Sequence, residues 1–155
     1  MNEALAAEAL KKFRIIYGAV RKHSRNMEKA CGVGGAQIWA MALLARTPGL
    51  RVSQLARNLS IHPSTASNLL DKLERAGLVQ RTRHSADQRV VQLHLTEAGE
   101  KVLARAPQPL SGVLTHALEQ LPEDILLRLI EDLQAVTDHL QVADDSAASK
   151  PLTEL

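Results

Sequence analysis

The polar side of one predicted helix carries residues that could hydrogen-bond to DNA. The helix begins at Pro63, ends before Gly77 and has an apolar side that should face a core. Its outward side has short hydrogen-bonding groups near the helix start and a cation one turn later, with Ser67 at the margin: Ser64, Thr65, Ser67, Asn68 and Lys72. Asn can pair with adenine, Ser and Thr with bases or phosphates, and Lys with phosphate. The pattern predicts a helix whose N-terminal end enters a DNA major groove.

Basic residues surround the tip of a predicted β-hairpin that follows this helix. The segments LVQRTR (78–83) and VVQLHL (90–95) alternate apolar and polar side chains, as β-strands do, and a polar connector joins them. The basic residues that could reach DNA are Arg81, Arg83, His84 and Arg89. Arginine is well suited to a narrow, strongly negative minor groove. The polar helix alone could be a merely solvated surface, but the helix and the basic hairpin together favour DNA binding.

The net charge of +2 hides a strong division along the chain. Residues 1–94 hold 15 Lys and Arg against 6 Asp and Glu, whereas residues 95–155 hold 4 against 11. The basic part contains both the polar helix and the hairpin. Charge clustering on solvated helices would explain the division equally well by itself, but its coincidence with the motif indicates a polyanionic partner.

Long helices at both ends of the chain and shorter helices between them are predicted to position these residues. Long apolar stripes at steps near 3.6 predict helices at residues 3–30 and after Leu121, with Leu126 and Leu140 among the apolar positions of the last helix. Further helices are expected at residues 36–46, which are apolar almost all round, at 52–59, 63–75 and after Thr96, and the last of these is interrupted near Pro107 and Pro109. The small middle part cannot cover both terminal stripes. They are therefore expected to pack on each other and on a second copy of the chain.

The predicted fold is mainly α with a small β-hairpin wing. A winged helix-turn-helix lobe is expected at residues 33–96, and a helical dimerisation region is expected at residues 1–32 and 97–142. Residues 143–155 are small and polar and are predicted to be disordered.

Two adjoining stretches resemble the MarR family of winged helix-turn-helix regulators. They are HPSTASNLLDKLERAGLVQR and DQRVVQLHLTEAG, in which Asp-x-Arg, an apolar alternation and Leu-Thr-x-x-Gly fall at Asp87, Arg89, Leu95, Thr96 and Gly99. The resemblance extends over about residues 5–142. It implies an obligate homodimer joined by its first and last helices. It also implies binding to near-palindromic double-stranded operators, usually as a repressor, and release by a small phenolic or aromatic acid.

The resemblance also implies roles for single residues. Ser64, Thr65, Ser67 and Asn68 would contact bases or phosphates in the major groove. Arg89 would enter the minor groove, and Asp87 would brace the wing through an ion pair or hydrogen bond, a role compatible with that of a turn-forming Asp.

Two positions depart from the family's pattern. His62 stands where a small capping hydroxyl is usual and should cap poorly by comparison. Ser60 stands where a turn glycine is common, so a left-handed conformation there would be mildly strained.

An effector cleft is expected between the dimer helices and the DNA-binding lobe. Candidate lining residues are Tyr17, His23, Met27, Trp39 and Met41. Such a cleft combines apolar walls with a few polar anchors, and His23 could meet a carboxylate. The competing interpretation is that Trp39 and Met41 are ordinary core residues.

Two other kinds of function remain open as alternatives. The single cysteine, Cys31, could be a redox sensor, with Lys29 close enough to lower its pKa, although a lone cysteine is more often a small buried hydrophobe. The winged fold could also serve as a protein–protein interaction module without DNA.

Enzyme functions are disfavoured. The GVGG stretch is not a dinucleotide fingerprint, because Gln37 occupies the third glycine position and no strand precedes it. The six histidines are scattered without metal-like spacing, so neither a metal site nor a cofactor is expected. The N-terminus lacks the order of a secretory signal and no apolar run could span a bilayer, so the expected location is the cytoplasm, with no membrane partner.

Overall fold

The computed structural model describes residues 2–83, 86–87, 89–141 and 144–154. The helices are α1 (Glu3–Cys31), α2 (Gly35–Arg46), α3 (Val52–Leu59), α4 (Pro63–Arg75), α5 (Glu97–Arg105), α6 (Val113–Glu119) and α7 (Glu123–Asp138). The strands β1 (Val79–Arg83) and β2 (Val91–Leu95) form an antiparallel hairpin, and two 3-10 turns follow at Asp145–Ser149 and Leu152–Glu154. The mainly α fold with a β-hairpin wing is the predicted one. Within the described residues, none of the helices combines the length and apolar character that crossing a membrane requires.

The core lies beneath the helix-turn-helix and is centred on α2. Its largest fully buried side chains come from the end of α1, from α2 to α4 and from β2: Met27, Ile38, Met41, Leu44, Leu55, Leu70, Leu73 and Leu93. Helix α2 contacts α1, α3, α4, α5 and β2, which explains why its sequence is apolar almost all round. The lobe that carries α4 and the hairpin therefore rests on a well-packed core centred on α2.

The hairpin is anchored to this base through β2. Val79 pairs with Leu95 and Arg83 with Val91, so the tip lies beyond Arg83. Leu50 adds one bridge on the other side of β2, with its carbonyl oxygen accepting the N–H of Leu93 at 2.9 Å.

Apolar side chains remain exposed on both terminal helices. On α1, Phe13 and Ile16 are exposed, and α7 has no buried residue, with Ile130 63% and Leu133 38% exposed. An exposed stripe of this length is the signature of a surface that another protein surface covers. Packing of the stripes on a second copy stays a prediction, as do the proposed limits of the dimerisation region.

The C-terminal segment differs from the expected disorder. The two 3-10 turns lie within residues 144–154, and the carbonyl oxygen of Ser149 accepts the backbone N–H of His62 at 3.1 Å. Pro151 and Leu152 line a cavity of the lobe, so even this polar segment contributes apolar atoms that can pack.

Candidate nucleic-acid interface

The turn between α3 and α4 uses a left-handed residue. Ser60 has φ 55° and ψ 41°, the conformation that a glycine would adopt with less strain. The turn closes when the N–H of Ile61 donates to the carbonyl oxygen of Ala56 at 3.0 Å. The strained serine predicted from the sequence is therefore present, and it sets the direction in which α4 leaves the turn.

His62 caps α4 better than expected. Its Nδ1 accepts the backbone N–H of Ser64 at 3.1 Å, and the Ser64 hydroxyl oxygen lies 2.7 Å from the same nitrogen. An imidazole nitrogen that accepts an N–H must be unprotonated. His62 thus supplies the acceptor that a Ser or Asp would normally provide at this position.

The two sides of α4 divide as the sequence predicts. Ala66, Leu69, Leu70 and Leu73 are buried. On the opposite side Ser64, Asn68 and Lys72 are exposed, whereas Thr65 and Ser67 are half-buried. Helix α4 therefore packs its apolar side in the core and exposes hydrogen-bonding side chains to solvent on the opposite side.

Arg81 does not face outward as the sequence suggested. Its Nη2 lies 2.6 Å from Asp71 Oδ1, and its Nε lies 3.0 Å from Glu74 Oε2. Only 28% of the Arg81 side chain is exposed. Since Asp71 and Glu74 are three residues apart on α4, one guanidinium can bridge both. Arg81 thus ties β1 to α4, and its predicted contact with DNA stays a prediction. The i,i+3 spacing of the two acids on α4 is the signal in the sequence that could have indicated this role.

Of the remaining wing residues, Asp87 stabilises the turn, whereas Arg83 and Arg89 have exposed side chains. The Asp87 carboxylate accepts the backbone N–H of Arg89 at 3.0 Å, and the Asp87 carbonyl oxygen accepts the N–H of Val90. This turn fits the bracing role predicted for Asp87. The side chains of Arg83 and Arg89 are exposed. The predicted DNA contact His84 lies outside the described residues.

The corner after β2 explains the Leu-Thr-x-x-Gly motif physically. Thr96 Oγ1 donates to the carbonyl oxygen of Gly77 at 2.6 Å and accepts the N–H of Gly99 at 3.1 Å, which caps α5. A Cβ at Gly99 would overlap the carbonyl oxygen of Leu78. Glycine is required here because α5 passes against the entry to β1.

The candidate effector residues do not form one group. A cavity of about 320 Å³ lies between α1, the start of α2, the end of α3 and α6, and His23 and Trp39 line it. His23 Nε2 lies 3.0 Å from the carbonyl oxygen of Pro109. Met27 and Met41 are fully buried core residues instead, as the competing interpretation for Met41 held. Tyr17 is 57% exposed on α1 and is not among the cavity's lining residues.

Cys31 lies in an environment that suppresses thiolate formation. It is buried at the end of α1, and its Sγ lies 3.6 Å from the carbonyl oxygen of Val102. Burial raises the pKa of the thiol, and the charge of Arg105 offsets this only in part. In the part of the chain described by the structure, no cluster of His, Cys, Asp and Glu could hold a metal ion.

Known proteins share both the sequence pattern and the fold. The model of the MarR family matches residues 36–91. The chain is similar to the HTH-type transcriptional repressor MdtR of Bacillus subtilis, at 31% identity over 103 residues. That alignment covers 66% of this chain and 66% of the relative, slightly less than two thirds of its length. Relatives of this kind are named as transcriptional regulators and not as enzymes, in agreement with the sequence prediction.

Two solved structures extend the likeness to nearly the full fold. A MarR family protein from Bacillus stearothermophilus matches with a TM-score of 0.54 at 26% identity, covering 89% of this chain and 96% of that one. FabT of Streptococcus pneumoniae, solved in complex with DNA, matches with a TM-score of 0.58 at 20% identity, covering 87% and 94%. The matched lobe and the shared winged helix-turn-helix architecture show that the chain belongs to the MarR family.

Proposed function

We propose that the chain is a sequence-specific DNA-binding transcriptional repressor that works in the cytoplasm. The observation that carries the proposal is the outward side of α4, where Ser64, Asn68 and Lys72 are exposed beside a wing whose Arg89 is also exposed. These elements belong to the basic part of the chain. The similarity to MdtR, which is named as a repressor, and to FabT, which was solved with DNA, supports this assignment.

The proposed repressor is a homodimer on a near-palindromic operator. A monomer would leave the apolar stripes of α1 and α7 in water, and a second copy can cover both. The two copies of α4, the proposed recognition helices, must then lie about 34 Å apart to enter successive major grooves. The exposed Arg89 of each wing would extend the contact into the adjoining minor groove.

The proposed effector is a small aromatic or phenolic acid that binds in the cavity. Trp39 supplies an aromatic wall, and His23 supplies a polar anchor. Since His23 Nε2 faces the carbonyl oxygen of Pro109, a neutral imidazole donates there and keeps Nδ1 as an acceptor. A phenolic hydroxyl suits that acceptor, whereas a carboxylate would require the imidazolium. Binding would favour another spacing of the lobes, by no more than the effector's differential affinity for the two spacings.

Fluorescence anisotropy tests the proposal directly. DNA from upstream of the chain's own gene is titrated with protein at two salt concentrations, with a scrambled duplex of equal length as the control. A specific complex that weakens steeply with salt is expected, because the contacts release counterions from phosphates. Equal affinity for the scrambled duplex, or no binding to any promoter fragment, would favour a protein-interaction module instead.

A further inference from the structure

The C-terminal segment of the chain forms part of the wall of the cavity that the effector would occupy. Lys150, Pro151 and Leu152 are among the residues that line it, together with Trp39 of α2 and Ile61 of the turn before α4. A hydrogen bond from the His62 N–H to the Ser149 carbonyl oxygen also holds the segment to the turn before α4. Its composition gave no sign of this, because only two of its apolar residues, Pro151 and Leu152, are larger than alanine.

The same segment reaches the side of α4 that is proposed to meet DNA. Lys150 shares a second, smaller depression with Thr65, Asn68 and Lys72, three of the residues expected to contact DNA. The bond to His62 also lies at the N-terminal end of α4. That end of a helix is where phosphate oxygens bind most readily, and the segment passes directly beside it.

We propose that residues 144–153 form an autoinhibitory segment that docks against the lobe, where it closes one wall of the cavity, and competes with DNA for the recognition helix α4. The inference rests on the proposed function. Lys150 lines the same depression as Thr65 and Asn68, so the docked segment and a phosphate backbone would compete for this position. The segment also carries the exposed carboxylates of Asp144 and Asp145, and their negative charge opposes the approach of a polyanion.

The expected size of the effect follows from the docked population. If only the undocked form binds DNA, the apparent Kd equals the intrinsic Kd divided by the undocked fraction. A segment docked in about nine molecules of ten would weaken binding about tenfold. Undocking should therefore lower the Kd by at least about threefold, which corresponds to a segment that is docked two thirds of the time.

Docking can be measured without DNA through Trp39, the only tryptophan of the chain and a wall of the cavity. Four proteins are compared by tryptophan emission and by operator anisotropy: the full chain, a version that ends at Ala143, Leu152→Asp, and the matched control Ser146→Asp. Ser146 is exposed and is not among the cavity's lining residues, so its variant adds the same charge without disturbing the cavity. The added charge of Leu152→Asp by itself weakens attraction to DNA, so tighter binding by this variant reports undocking.

The expected result is a red-shifted Trp39 emission and a Kd lowered at least about threefold in the truncated and Leu152→Asp proteins, with Ser146→Asp like the full chain. Unchanged emission on truncation would overturn the docking. A red shift with an unchanged Kd would overturn the competition, and a raised Kd would do so by showing that Lys150 contacts DNA. If no version binds DNA although the emission shifts, the proposed function fails together with the competition, while the docking stands.

Discussion

Replacing Arg81 with glutamine separates a bracing role from a DNA-contacting role. The substitution removes two ion pairs, at 2.6 Å to Asp71 and 3.0 Å to Glu74, from side chains that are 28%, 43% and 46% exposed. Ion pairs on the surface contribute about 0.2–1 kcal/mol each, and burial of Arg81 places these toward the upper end. We expect Arg81→Gln to lower the free energy of unfolding by about 1–2 kcal/mol. For a chain of this length, the melting temperature should fall by about 3–6 °C.

A double-mutant cycle assigns that loss to the pair. Arg81→Gln, Asp71→Asn and the double variant are unfolded in urea, and the coupling free energy between the two positions is expected to be about 0.5–1 kcal/mol. A coupling near zero would mean that the observed contact contributes nothing in solution.

The salt dependence of operator binding provides the second measurement. Because Arg81 is already paired within the protein, its replacement should leave the slope of log K against log salt unchanged. Arg89→Gln is the matched control on the exposed wing, and it should lower the slope by about 0.9 per wing without a loss of stability. If Arg81→Gln lowers the slope and leaves the melting temperature unchanged, then Arg81 contacts phosphate and the bracing role is wrong.

Three further predictions concern the corner, the terminal helices and the thiol. Gly99→Ala should cost about 1–3 kcal/mol of stability in urea unfolding, because its Cβ would overlap the carbonyl oxygen of Leu78; an unchanged midpoint would contradict this. Ile130→Asp places a charge on the exposed stripe of α7, and light scattering should give a monomer's mass with the helical circular dichroism retained, whereas an undisturbed dimer would move the interface elsewhere. Cys31 should react slowly with iodoacetamide at pH 7 and about tenfold faster for each pH unit up to pH 9, since burial raises its pKa and only the thiolate reacts. A reaction that is already fast at pH 7 and no faster at pH 9 would support the redox-sensor alternative.

The helix-turn-helix could be predicted closely because its signals are local. Pro63 and Gly77 punctuate α4, and the apolar positions between them repeat at helical spacing. The alternation in residues 90–95 likewise specified β2 and its buried Leu93. Such features depend on neighbours within one or two turns, and a single sequence contains them.

Other features depend on which surfaces meet in three dimensions. Whether Arg81 faces DNA or α4 is decided by the packing of β1 on that helix, which alternation alone does not specify. The capping by His62 depends on a side-chain rotamer that turns Nδ1 back toward Ser64. The place of Leu152 in the cavity wall depends on elements that are distant in sequence, so composition could only suggest disorder.

The bridge from Arg81 to Asp71 and Glu74 has a mechanical consequence. It fastens β1 of the wing to α4, so independent tilting of the two parts that are proposed to contact DNA would have to break these ion pairs. A signal that leaves the bridge intact would therefore move α4 and the wing together. A displacement of about 3.4 Å, the rise of a single base step, is already enough to put both parts out of register together.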